Sequence, residues 1–211
     1  MIQKAADSAS IVLIGSFNPG IFHPAWFEKL LLLPATETDN ATIEMISNDI
    51  AIFTMAWVRI EVVGERFVAK TADESKFGPL RDLVIGTFRL LEYTPVRQIG
   101  MNRDSWHSVG HALAPKESWL PYVNAPGMKS LVMESRRDDD RDGLFNISVK
   151  PILKQPLPAK DWLVEVAFND HVELGENKTA LDACKILDED WDKTLTRAGT
   201  VCLGLISDTA K

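Results

Sequence analysis

The chain lacks any apolar run long enough to cross a bilayer. Ile11–Ile14 and Leu30–Leu33 fall far short of the roughly 20 residues a membrane helix needs. Its opening, MIQKAADSASIVLIG, has no basic stretch followed by a long apolar one, so no secretory signal is expected there. Basic charge is also scarce: 23 Lys and Arg stand against 30 Asp and Glu, a formal net charge of -7. That balance argues against non-specific nucleic-acid binding, which needs a basic footprint. It suits solubility or a basic protein partner instead. Cysteine is confined to Cys184 and Cys202. With no export signal, a reduced, cytoplasmic protein without a disulfide is expected. Neither a Walker A loop, a Gly-x-Gly-x-x-Gly fingerprint, a Cys-x-x-Cys pair nor a Gly-x-Ser-x-Gly elbow occurs, so no cofactor and no metal are expected.

What is present is an ordinary globular composition, 45% apolar and 25% charged. Ser10–Phe17 reads as a buried strand, stopped by Asn18-Pro19-Gly20. A helix begins at Pro24, a proline tolerated at the first helical position, and ends at Pro34. After a polar loop, three strands are predicted at Thr42–Ser47, Ile50–Val63 and Arg66–Thr71, a meander with short turns. Leu80, Leu83, Val84, Thr87, Phe88 and Leu91 then form the apolar stripe of a helix, closed by Pro95.

The same order returns in the second half. Val96–Asn102 is a predicted strand, and residues from Ser105 to about Leu113 a short helix with Ser105 as N-cap. Met128–Arg136 and Gly143–Ile152 make a hairpin, and Asp161–Phe168 a further strand. A long helix from near Lys178 carries Ala180, Cys184, Leu187, Trp191 and Leu195, with Cys184 as a small core residue. The apolar tail Thr200–Ile206 packs back in a form the pattern leaves open.

The expected fold class is therefore α+β. Two tandem β-α-β-β-β-α units, residues 1–95 and 96–211, form antiparallel sheets packed by long helices in one body, in a TBP-like or helix-grip-like arrangement. The segments IGSFNPGIFHPAW, TPVRQIGMN and NDH together resemble a sporadically distributed family of bacterial proteins of unknown function. The resemblance spans nearly the whole chain. Sporadic distribution is what mobile-element and defence genes show, so it implies an accessory role, with a partner encoded nearby.

Four clusters carry chemistry worth weighing. His107 and His111 would share a helical face at i and i+4, the spacing of two ligands to one metal, with Asp170 or His171 as a third. Ser108 stands where a His-Glu-x-x-His motif needs its glutamate, so partly buried or surface histidines are favoured. Asp138-x-Asp140-x-Asp142-Gly143 matches the first half of a calcium loop, but Val149 replaces its bidentate glutamate, which favours a solvated hairpin turn. Asp170 and His171 are neighbours, yet on a strand they point to opposite faces, so a strand-end turn is favoured over a dyad. Finally, Asn102, Arg103 and Trp106 lie where a strand-to-helix loop is predicted, matching Asn18 in the first half. An exposed Trp106 or Trp119 would be a partner anchor.

The leading expectation is a non-enzymatic binding or protein-interaction protein acting through a sheet surface or a cleft between the halves. The alternative is a small-molecule-binding or hydrolytic enzyme with a cavity between helices and sheet, using His107, His111 and Asp170. No membrane contact is expected, nucleic acid is disfavoured by the charge, and an edge strand such as Met128–Arg136 is free to pair across a dimer.

Overall fold

The computed structural model describes residues 2–110, 130–137, 139, 141–152 and 161–207. Among these residues nine strands form one antiparallel sheet: β1 (Ile2–Gly15), β2 (Thr42–Ile46), β3 (Ile50–Met55), β4 (Val58–Val63), β5 (Arg66–Thr71), β6 (Val96–Gly110), β7 (Leu131–Arg136), β8 (Gly143–Ile152) and β9 (Asp161–Glu173). Their spatial order is β2-β3-β4-β5-β1-β6-β9-β8-β7. Outward from the central β1–β6 pair, each half begins with its first strand and continues with its last. Among the described residues four α-helices accompany the sheet: α1 (Pro24–Lys29), α2 (Ala35–Thr38), α3 (Phe77–Leu90) and α4 (Ala180–Ser207). None among the described residues is long and apolar enough to cross a membrane.

Strand alternation sends Ala9, Ile11 and Leu13 of β1, Phe67 and Ala69 of β5, and Ile99 and Met101 of β6 to one side. There they meet Leu80, Val84 and Phe88 of α3 and Ala180, Leu187 and Trp191 of α4 in one core. Trp191 is fully buried, and its indole N–H donates to the carbonyl of Phe77 at 3.0 Å, tying α4 to the start of α3. Phe67 and Phe88 meet edge to face with centroids 4.8 Å apart, which locks α3 onto β5. A smaller cluster of Val149, Val164, Val166 and Cys202 continues the core under the far end of α4.

Several expectations are corrected. Ile50–Val63 is two strands, because Ala56 enters the left-handed region (φ 36°) and makes a turn that carries no glycine, proline or asparagine signal. The apolar tail is helix, since α4 runs on to Ser207 and buries Cys202. The predicted helix from Ser105 is strand as far as Gly110; residues 111–113 lie outside the described ones. β6 therefore carries straight through Asn102, Arg103 and Asp104, and no strand-to-helix loop exists there to match Asn18. β9 likewise extends through Asn169, Asp170 and His171, so these residues are mid-ladder and not a terminal turn.

Candidate functional site

Helices cover one side of the sheet, and the alternate residues project from the other. There the register lines up one polar residue from every strand. Thr42 pairs with Thr54, Thr54 with Arg59, Arg59 with Lys70, and Lys70 with Ser10. Ser10 in turn pairs with Asn102, Asn102 with Asn169, Asn169 with Asn146, and Asn146 with Glu134. At about 4.8 Å per strand the row runs for roughly 40 Å without an apolar side chain.

Its centre is hydrogen-bonded. Asn102 Nδ2 donates to Ser10 Oγ at 3.2 Å, and Asn169 Nδ2 donates to Asn102 Oδ1. No described residue bonds Asn169 Oδ1 or either end of the Asn146 amide. Beside Asn146 on the same strand and face, Ser148 Oγ is shielded from solvent and has no partner among the described residues. Ser148 Oγ is therefore closed to a ligand, whereas the half-buried Asn146 and Asn169 amides leave hydrogen-bonding capacity on this surface.

Next to the row lies a groove of about 580 Å³. Val12, Val68 and Gly100 lie along it; Lys70, Asn102, Asp104 and Asn169 line one side, and Gln98 and Arg66 the other. A side chain at Gly100 would meet Asn169 Nδ2 at 3.3 Å and Val12 Cβ at 3.6 Å, so the glycine keeps the groove open between β1 and β9. Charges on this face are largely neutralised in pairs. Arg59 bonds Glu44 and Glu61, Lys70 stands 3.7 Å from Asp104, and His171 Nε2 lies 2.8 Å from Glu173. Burial raises the Asp104 carboxyl above its usual range, against the pull of Lys70. The hydrogen bond from His171 lowers Glu173.

Of the residues singled out in the sequence, Asn102, Trp106 and His171 belong to this open face. Trp106 is half-buried on it, two rows beyond Asn102. Asn18 caps a short turn, its Oδ1 accepting from the Gly20 N–H at 3.1 Å. Arg103, His107 and Asp170 face the helices. Arg103 is held by Asp7 at 2.6 Å and donates to the carbonyl of Leu195 at 2.9 Å. Asp170 is 1% exposed; it accepts from the Thr194 hydroxyl at 2.5 Å and pairs with Arg137. Burial raises its pKa, and Thr194 and Arg137 oppose that rise. Asp170 and His171 do point apart.

His107 Nε2 lies 3.0 Å from Cys202 Sγ, a contact the sequence reading missed because Cys202 sat in the unassigned tail. Burial pushes the thiol up to about 11 and the imidazole down, so both are neutral at pH 7 and the thiol is a poor nucleophile. Met101, not His107, pairs with Asp170, which sets His107 and Asp170 roughly 20 Å apart along β6. The two do not form one site. His111 and Trp119 lie outside the described residues, as do Asp138 and Asp140. In the same turn Asp139 is bonded by Arg137 at 2.6 Å, which lowers its carboxyl to about 2. Among the described residues no three His, Cys, Asp or Glu are grouped to hold a metal ion.

Ser10, Lys70 and Asn146 carry no local signal in the sequence, while Gly100 and Asn169 stand out only within the TPVRQIGMN and NDH segments. Alternation would have found them once the true lengths of β6 and β9 were known. Comparison with models of known protein families and with curated protein sequences found no match for the chain.

Proposed function

We propose that the protein is a non-enzymatic binding protein that holds its ligand on the open face of the sheet. The observation that supports this most is the unbroken polar row, in which the Asn146 and Asn169 amides keep hydrogen-bonding capacity that no described residue takes up. The groove over Gly100 crosses the β1–β6 pair, so any occupant touches both halves of the chain. Those halves read as two related units in a TBP-like saddle, five strands in the first and four described in the second; the reading is supported by the strand order outward from that pair, first strand and then last, which both halves share. A Gly100→Trp substitution fills the groove. It should abolish ligand binding while leaving the far-ultraviolet circular dichroism unchanged; retained binding would refute the assignment.

A second reading is favoured by the edge strand β2, where Ile43 and Met45 are 49% and 51% exposed. Such an edge accepts an added strand from a protein partner. The resemblance to a sporadically distributed bacterial family makes a neighbouring gene product of a mobile or defence element the natural candidate, in a cytoplasmic setting that keeps the buried Cys184 and Cys202 as thiols. Co-expression with adjacent gene products tests it: a complex lost on Ile43→Lys supports the edge, and one indifferent to that change removes it.

A further inference from the structure

We infer that the occupant of the open face is a second copy of this chain, docked sheet to sheet across a two-fold axis; the inference rests on the reading of that face as the binding surface. Beside the polar row the register lays down an apolar strip. Met45 pairs with Ile52, Ile52 with Glu61, Glu61 with Val68, and Val68 with Val12. In the next row Ile50 pairs with Val63, Val63 with Arg66, and Arg66 with Ile14. The seven apolar residues of these rows run from the edge strand β2 to the central β1, and none belongs to the cores under the helices. Met45 and Val63 are 51% and 44% exposed. A contiguous apolar strip rimmed by polar groups is the mark of a docking surface.

Charge selects the occupant. Arg59, Arg66 and Lys70 stand in or beside the strip against Glu44, Glu61 and Asp104, so it is neutral on a chain of net charge -7. Part of the acidic excess, Asp188, Glu189 and Asp192, is exposed on α4, across the sheet from the strip. Two copies docked through the strip lie with their sheets about 10 Å apart. Their α4 carboxylates then sit on opposite outer sides, well beyond the ~8 Å over which salt lets charges repel. Arg66 has no carboxylate partner among the described residues, while Glu61 lies one row away on the neighbouring strand. A two-fold axis over the β4–β5 pair, near the middle of the strip, sets Arg66 of each copy against Glu61 of the other and apolar rows against apolar rows. Two rows over five strands measure roughly 24 Å by 14 Å, less than the ~800 Å² per partner of a standard interface. The contact therefore extends onto the polar row, and the dimer should dissociate in the micromolar range.

Sedimentation velocity of the full chain, from low micromolar to submillimolar concentration, is the test. The mass should rise from that of one chain to twice that value. Ile52→Lys places a lysine opposite Glu61, which the fold can accommodate, in the middle of the apolar row. It and Gly100→Trp should each raise the dissociation constant at least tenfold, with urea unfolding confirming that each variant folds. Arg66→Glu and Glu61→Arg should each weaken the dimer, and an equimolar mixture of the two should restore it, because each variant then carries the charge the other needs. A monomer at every concentration overturns the inference. So does a dimer that neither Ile52→Lys nor Gly100→Trp weakens, and so does a mixture no tighter than the single variants. Should the chain stay monomeric, the dye anilinonaphthalene sulfonate separates the two ideas. Dye fluorescence lost in Ile52→Lys and Gly100→Trp overturns the second copy while leaving the open face as a surface for another occupant. No dye binding overturns the surface as well.

Discussion

Asn102 and Asn169 face each other across the β6–β9 ladder, the amide of Asn169 donating to the side-chain carbonyl of Asn102. The bond fixes both amide orientations, because Asn102 must then donate from its own nitrogen towards Ser10. Replacing Asn169 by Asp sets an acceptor against an acceptor. The expected loss is about 1–2 kcal/mol, read from urea unfolding. Asn169→Ala should cost about 1 kcal/mol, and a double-mutant cycle with Asn102→Ala should show coupling of about 0.5–1.5 kcal/mol. A coupling near zero would mean that the two amides do not bond.

Two glycines should respond in opposite directions to the same change. At Gly15 a Cβ would stand 2.2 Å from the backbone oxygen of Pro95, where β1 and the start of β6 pass closely. Backbone has to move, so Gly15→Ala should destabilise by roughly 2 kcal/mol or more. At Gly78, in the first turn of α3, a Cβ meets nothing within 4 Å. Gly78→Ala should stabilise by about 0.4–1 kcal/mol, chiefly by restricting the unfolded chain. Thermal unfolding of the two variants checks both signs at once.

The parts of the fold that were legible in the sequence are those whose burial follows a simple period. Leu80, Leu83, Val84, Thr87 and Phe88 announce α3, and all five are buried. The first half of β6, Val96–Asn102, was legible, and its continuation to Gly110 was hidden because Arg103 and His107 occupy its buried face. That is tolerable only because Asp7 and Cys202, distant in sequence, supply their partners inside. The polar row was hidden for a different reason. Its row takes one residue from each of nine strands, so it exists only once every register is set. Asn102 and His171 stood out locally, whereas Ser10, Lys70 and Asn146 are unremarkable in their own segments.

The buried thiol should make the protein sensitive to alkali. Burial lifts Cys202 from an ordinary value near 9 to about 11, and Cys184 likewise. A group whose folded value is raised contributes stability that is whole below its unfolded value and lost as pH rises through the folded one. Stability should therefore fall between about pH 9 and about pH 11, and Cys202→Ala should soften that fall. His107 has the opposite sign. Its folded value lies below 6.5, so the unfolded chain takes the proton first and stability drops as pH falls through that value. Unfolding free energies across pH measure both slopes. In the native protein Cys202 should react with an aromatic disulfide reagent only after unfolding, and rapid labelling of the folded chain would contradict its burial.

Arg137 joins the β7–β8 turn to the core, since it bonds Asp139 in the turn, Asp170 on β9 and, at 3.4 Å, Asp190 on α4. Its side chain is 3% exposed and that of Asp170 is 2% exposed, so neither charge is solvated by water. Removing one partner of such a pair leaves the other buried and uncompensated, and Arg137→Met should cost about 3–5 kcal/mol at pH 7. The burial that already raises Asp170 is then opposed only by Thr194 and the charge of Arg197, so the carboxyl should take up a proton more readily in the variant. Protonation removes the uncompensated charge while Thr194 remains as a hydrogen-bond partner. The gap between variant and wild type should accordingly shrink from pH 7 to pH 4. Asp139 sharpens the contrast, because Arg137 holds its carboxyl near 2 and that stabilisation of the wild type is lost only as pH falls towards 2. Urea unfolding of both proteins at the two pH values decides the matter; a gap that stays constant would mean that Asp170 does not carry the uncompensated charge.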